Sequence, residues 1–177
     1  MRHAGFRGFM WVLFGEDRFT RRAGFPASAS RYAFNSLTHS ITMKNSFALE
    51  FADIKAIAAA AEAEALKNNW AVTIAIVDGG GHLLHLQRLD GAAPISAHIA
   101  PAKANTAAMG RRESKVYEDM INGGRVSFLS APDLNGLLEG GVPIMKDGQC
   151  LGAVGVSGVK STEDAQVARA GIAAIGL

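Results

Sequence analysis

The chain has 177 residues, 49% of them apolar, and a formal net charge of +2 at pH 7, values typical of one folded domain rather than of a disordered chain. Its single cysteine, Cys150, excludes an internal disulfide framework and a metal site built from several cysteines. The excess positive charge lies in residues 1–42, which hold six Arg and two acidic residues, whereas the remainder is slightly acidic, so nucleic-acid binding is not indicated.

Residues 1–42 show no sustained helical or strand periodicity. Their apolar run, Phe9–Phe14, is too short for the core of a secretory signal, and no stretch of the chain has the length of a transmembrane helix. We therefore expect a disordered leader or an upstream extension over 1–42, a folded domain over 43–177, and a cytoplasmic protein without membrane attachment.

The first half of the folded region follows a helix–hairpin–helix pattern. Helical spacing and strand alternation distinguish the elements, and glycine, proline and asparagine mark their ends. In chain order the patterns predict a helix from Asn45 or Ser46 to Asn68, a strand over 72–77, a turn at Asp78–Gly81, a strand over 82–89 and a helix from Pro94.

The second half adds a further hairpin between helices. The patterns predict a helix over 113–121, an irregular connection with a short strand over 127–138, strands over 142–146 and 149–157, and a last helix capped by Thr162, or by Ser161 with Asp164. On the last strand one face narrows from large to small side chains, which lets another element or a flat ligand come close: Leu151, Ala153, Gly155 and Ser157.

Tight turns between consecutive strands indicate antiparallel pairing. The sequence therefore predicts an α+β fold in which a small antiparallel sheet of about five strands is flanked by helices.

Several segments of the folded region carry a resemblance to a known family, and their order and spacing are more specific than any one of them. They are Ala75–Leu83, Arg88–Ala92, Ala102–Ala107, Gly140–Ile144, Gly152–Gly158 and Glu163–Gly171. Over 46–176 the chain resembles the GlcG/HbpS family of haem-binding proteins, whose domain also forms the C-terminal part of PduO-type cobalamin adenosyltransferases. The resemblance implies a single layered, profilin-like domain, assembly into homo-oligomers, and association with haem or a corrinoid.

The helix after Pro94 carries polar candidates for such a ligand site. Haem needs an apolar slot, cations or donors for its propionates, and an axial ligand. The helical period groups Lys103 with Thr106 and leaves His98 at the edge of that face, so His98 or Thr106 is a candidate axial ligand. Alternatively, the Thr106 hydroxyl bonds to the preceding turn and the Lys103 stem is solvated.

The first hairpin supplies the remaining candidates. Asp78 is expected to cap the glycine turn, and Gly80 lies where backbone N–H groups can hold an anion. Asp90 belongs to a plain turn or, alternatively, acts as a general base at the pocket mouth. Because His82 and His85 differ by three positions, strand alternation predicts that they point to opposite faces and cannot chelate a metal together.

We therefore predict a small soluble ligand-binding protein, rather than an enzyme, for haem or a related tetrapyrrole or corrinoid. It is expected to form a homo-oligomer, with no nucleic-acid or membrane partner. Two alternatives stay open. One is a small-molecule catabolic enzyme or accessory factor acting on a hydroxy acid, with Asp78, Asp90, His98 and Lys103 in acid–base roles. The other is an oligomerising module without a ligand.

Overall fold

The computed structural model describes Met43 and residues 45–177, and the leader predicted over 1–42 lies outside these residues. In chain order the elements are α1 (Phe51–Lys67), β1 (Thr73–Asp78), β2 (Leu83–Arg88), α2 (Ser96–Gly110), α3 (Lys115–Asn122), a 3₁₀ turn (Val126–Ser130), β3 (Gly141–Lys146), β4 (Gln149–Ser157) and α4 (Ser161–Ala173). The predicted α+β class is confirmed.

The described strands form one antiparallel sheet in the order β2-β1-β4-β3. This sheet has four strands where the sequence predicted about five. The difference lies over 127–138, which contains the 3₁₀ turn and no strand. β4 covers the predicted residues and pairs with both β1 and β3, so it forms the centre of the sheet together with β1.

The sheet separates two apolar layers of different composition. On one face, branched side chains of β1 and β4, including Ile74 and Val154, pack against α1 and α4. On the other face α2 contacts the sheet through small residues, with Ala104 and Ala107 packed near Ala153. Because alanines keep α2 close to the strands, little room remains between α2 and the sheet.

Gly155 shows how tight this second layer is. A Cβ at Gly155 would overlap the backbone carbonyl of Ala100 in α2. The narrowing face of β4 is therefore occupied by another element of the chain, one of its two predicted occupants. Leu151 departs from that face and packs in the α1–α4 layer, because an irregularity between Ile144 and Met145 shifts the pairing.

The four helices begin at other residues than predicted, with α2 starting at Ser96 instead of Pro94 and α3 at Lys115 instead of Glu113. α1 starts at Phe51 instead of near Asn45, because the Glu50 N–H donates to the Asp53 carboxylate at 2.9 Å and closes the first turn there. α4 starts at Ser161 with Lys160 as its N-cap, so neither Thr162 nor Ser161 with Asp164 caps the helix. Among the described helices, none is both long and apolar enough to cross a membrane.

Candidate functional site

The turn between β1 and β2 is fixed by one carboxylate. Oδ1 of Asp78 accepts hydrogen bonds from the N–H groups of Gly80 at 2.8 Å and His82 at 2.9 Å. The Nδ1 atom of His82 lies 3.2 Å from each Asp78 carboxylate oxygen. Partial burial raises the pKa of Asp78, but the hydrogen bonds from His82 and Gly80 outweigh it, and the net pKa is lowered. Asp78 is therefore an ionised acceptor at neutral pH.

A groove of about 500 Å³ opens beside this turn. Its polar lining includes Asp78 and Gly80, two residues that the sequence predicted at a ligand site. Its apolar lining comes from three separate parts of the chain: Phe47, Ala48 and Leu49 before α1, Leu84 of β2 and Leu151 of β4. Phe47 and Leu84 are 44% and 42% exposed, so these walls are accessible from solvent.

The ammonium group of Lys146 lies next to one wall of the groove. The Nζ atom of Lys146, an exposed residue at the end of β3, lies 4.9 Å from the centroid of the Phe47 ring. The main chain at Phe47 is fixed to β4, because the Phe47 N–H donates to Oε1 of Gln149 at 3.3 Å. The groove thus combines apolar walls with an anion at the turn and a cation near Phe47.

Cys150 also lines the groove, as a neutral thiol. Burial raises the pKa of Cys150, and its thiol donates a hydrogen bond to the Gly152 carbonyl oxygen, with Sγ and the oxygen 3.3 Å apart. A protonated, half-buried thiol is a poor nucleophile.

Leu84 reaches the groove because of a β-bulge. β1 and β2 pair Ile76 with His85 and Val77 with Leu83, which leaves Leu84 as the extra residue. Simple alternation therefore does not continue from His82 to His85, and it does not assign the two histidines to opposite faces. Among the residues that the structure describes, no group of three or more His, Cys, Asp or Glu side chains could hold a metal ion.

Lys103 lies far from solvent, with 3% of its surface exposed. Its Nζ atom donates to the Asp164 carboxylate at 2.8 Å and to the Val156 carbonyl at 3.0 Å. A Cβ at Gly140, where φ is +121°, would lie 2.8 Å from this Nζ atom, so only glycine leaves the side chain its space. Burial raises the pKa of Asp164, and the Lys103 ammonium counteracts part of that rise. The pair links α2 to α4 around the sheet.

Thr106 is likewise enclosed and bonded. Its Oγ1 accepts a hydrogen bond from the N–H of Gly136 at 3.1 Å, not a bond within its own helix. A Cβ at Gly136 would overlap the backbone of α2 at Ala102 and Lys103, so the loop before β3 lies directly on this helix. Lys103 and Thr106 are thus on one side of α2, as the helical period predicted, but both are bonded inside the protein.

His98 and Asp90 are separate from both regions. His98 is an exposed residue of α2, and Asp90 is exposed in the turn after β2. Neither residue lines the groove. The six predicted site residues therefore fall into three places: the groove, the interior beside α2, and open surface.

The groove also contains residues that the sequence patterns did not assign to a site. The patterns predict Phe47 within the first helix and Leu84 within a regular strand. The spacing of Glu50 and Asp53, which form the cap of α1, is the sequence signal that could have placed Phe47 before the helix and not inside it. No comparable sequence signal marks the bulge at Leu84, since it depends on the pairing with β1.

The layered antiparallel sheet recurs in solved structures. A PduOC–haem complex superposes with a TM-score of 0.66 and 28% identity, covering 72% of this chain and 95% of that one. HbpS of Streptomyces reticuli, solved as a double mutant, gives a TM-score of 0.67 and 28% identity over 88% of this chain and all of that one (100%). These similarities define the class of small, layered α+β domains to which the structure belongs.

Sequence comparison gives the family. The family model described as "Haem degrading protein HbpS-like" matches residues 49–173. The protein GlcG of Escherichia coli strain K12 is 56% identical over 115 residues, which are 65% of this chain and 85% of GlcG. The chain belongs to the HbpS-like family.

Proposed function

We propose that the chain binds haem or a related tetrapyrrole in the groove beside the Asp78 turn. The observation that carries this proposal is the groove itself, with about 500 Å³ of space between apolar walls that solvent can reach. Membership of the HbpS-like family and the shared fold with the PduOC–haem complex support the same ligand class. When bound, haem supplies a redox-active iron.

The residues around the groove fit the chemical requirements of such a ligand. Flat macrocycles bury their faces against apolar side chains, which Phe47, Leu84 and Leu151 offer. Carboxylate side groups of a tetrapyrrole pair with cations, and Lys146 lies beside the Phe47 ring. The Lys103 ammonium, by contrast, is already bound to Asp164 and Val156, so it is not available to pair with a ligand.

A haemin titration followed by absorbance tests this proposal. We expect saturable binding with a shifted Soret band, and we expect Leu84→Glu to weaken it about tenfold or more, equivalent to ~1.4 kcal/mol. The substitution places a charge on an apolar wall and next to the ligand carboxylates. Leu84 is 42% exposed, so the variant is expected to fold.

Leu66→Glu provides the matched control. Leu66 is 58% exposed on α1 and does not line the groove, so the same substitution there is expected to leave haemin affinity unchanged. A parallel titration with cobalamin separates a corrinoid ligand from haem. Absence of any saturable tetrapyrrole or corrinoid binding would refute the proposal. Equal losses of haemin affinity in the two variants would show that the ligand does not bind in the groove.

We further propose that copies of the chain associate along the outer edge of β2, which pairs with no other strand among the described residues. Leu83 and Leu86 are 52% and 43% exposed on this edge strand. The Leu89 N–H donates to the Val72 carbonyl, so alternation directs the backbone groups of Leu86 and Arg88 away from β1. The strand carries one formal charge, Arg88, and antiparallel pairing centred on Leu86 would keep the two Arg88 residues apart. A second copy is therefore a self-complementary partner.

Sedimentation of the wild type and Leu86→Lys at micromolar concentration tests the association. We expect an oligomer for the wild type and a smaller species for the variant, because a lysine on an edge strand disfavours strand pairing. A monomeric wild type would refute the association, and an unchanged oligomer in Leu86→Lys would show that the interface does not involve the edge of β2.

A further inference from the structure

The chain before α1 supplies one wall of the groove and is itself exposed. Residues 45–48, which we call the strap, are all exposed, and three of them line the groove: Ser46, Phe47 and Ala48. The next residue, Leu49, is half-buried and packs against the core cluster between the sheet, α1 and α4. A Cβ at Gly152 of β4 would lie 3.0 Å from Cδ1 of Leu49, so this side chain fits closely against the sheet. The chain is therefore anchored at Leu49 and accessible to solvent before it.

One side chain connects the strap to the sheet. Oε1 of Gln149, the first residue of β4, accepts a hydrogen bond from the Phe47 N–H at 3.3 Å, and its Nε2 donates to the Asn45 carbonyl at 3.4 Å. Both bonds are exposed and longer than the usual distance of about 2.9–3.0 Å. In the described part of the chain, no other hydrogen bond joins the strap to the sheet.

The Phe47 ring adds little to this attachment. It is 44% exposed and belongs to neither core cluster. Its cation–π contact with Nζ of Lys146, at 4.9 Å, is made between two exposed residues, where such contacts are weak. Displacing the strap thus breaks two long hydrogen bonds and one surface contact and uncovers little apolar surface. Segments held in this way open locally far more often than a core does.

We propose that the strap is a movable wall of the groove, and that the Gln149 side chain is the latch that holds this wall closed. The inference rests on the proposed function, because it concerns how the groove proposed for haem exchanges its ligand. Opening the strap at Leu49 widens the entrance, and closing it returns the Phe47 ring to the ligand. Gln149 is a positioning residue, since it acts through the strap and does not itself line the groove.

A latch has a kinetic signature that a static wall lacks. When a ligand enters and leaves through the open state, more frequent opening speeds both association and dissociation, and the affinity changes less than either rate. A residue that only supports the wall of a rigid groove affects mainly the dissociation rate. The two roles of Gln149 are therefore separable by experiment.

Three variants isolate the latch. Gln149→Met keeps the length of the side chain but forms neither hydrogen bond, whereas Gln149→Glu keeps an acceptor for the Phe47 N–H. Gln166→Met is the matched control, because Gln166 is an exposed glutamine of α4 whose Nε2 donates to Oε1 of Glu64 at 2.6 Å. Neither Gln166 nor Glu64 lines the groove.

The first measurement is amide hydrogen exchange by NMR on the full chain without ligand. We expect the Phe47 amide to exchange about threefold faster or more in Gln149→Met, in line with the loss of one exposed hydrogen bond. Gln149→Glu and Gln166→Met are expected to keep the wild-type rate, and the amides of α1 should be unaffected in all three. An unchanged Phe47 rate in Gln149→Met would overturn the assignment of the latch.

The second measurement is stopped-flow mixing with haemin. We expect Gln149→Met to raise the association and dissociation rates together, each about threefold or more, while Gln166→Met reproduces the wild-type rates. A rise in the dissociation rate alone, or no change in either rate, would overturn the movable wall and leave the proposed function standing. A wild type that binds no haemin would overturn the proposed function and the movable wall with it.

Discussion

The interior beside α2 and the groove beside the Asp78 turn use similar polar residues with opposite relations to solvent. Lys103 and Thr106 are buried, and every polar contact they make is to another part of the chain. Asp78 and His82 are also bonded to each other, but the His82 side chain is 82% exposed. A buried pair with satisfied hydrogen bonds stabilises the fold, whereas polar groups at an exposed groove are accessible to a ligand.

The largest expected effect concerns Lys103. Lys103→Met leaves the Asp164 carboxylate buried without its ammonium, so we expect a loss of about 3–5 kcal/mol in the free energy of unfolding. Urea denaturation measures it. The double variant Lys103→Met with Asp164→Leu removes both charges and is expected to recover much of that loss. A change below about 1 kcal/mol in the single variant would show that the pair is not structural.

A smaller effect is expected at Thr106. Thr106→Val keeps the shape of the side chain but leaves the buried Gly136 N–H without an acceptor, which costs about 1–3 kcal/mol. Haemin affinity is expected to remain at the wild-type value when measured well below the unfolding midpoint. Loss of haemin binding in folded Thr106→Val would indicate that the ligand site lies at α2 and not in the groove.

The smallest expected effect concerns the rate at which Cys150, in the groove, reacts with an alkylating reagent. Because burial raises the pKa of Cys150, its thiol is protonated at neutral pH, and we expect it to react with iodoacetamide more slowly than a free cysteine at the same pH. Cys150 lines the groove, so bound haemin is expected to slow the reaction further. Labelling as fast as free cysteine, measured by mass spectrometry, would contradict the placement of the thiol.

Much of the fold could be predicted from local patterns. The predicted strand over 149–157 has the limits of β4, and capping of the glycine turn followed from the position of Asp78. These features depend on a few neighbouring residues. The predicted strand over 127–138 failed, because the loop at Gly136 is instead fixed by contact with α2, which a local pattern does not reveal.

The candidate site was predictable only in part, for a related reason. Asp78 and Gly80 lie within one turn, and the sequence marks them directly. Leu84 enters the groove through a bulge in the pairing of two strands, and Lys103 finds Asp164 at a separation of 61 residues. Whether a polar residue faces a ligand or a buried partner is decided by such distant contacts.

The central claim is that the groove beside the Asp78 turn, and not the interior beside α2, receives the tetrapyrrole. The most direct measurement is the broadening of backbone amide NMR signals by paramagnetic haemin bound to the full chain. We expect the strongest broadening at residues 79–84 and 47–49, with weaker effects over 102–106. Strongest broadening over 102–106, with the signals of 79–84 unaffected, would contradict it.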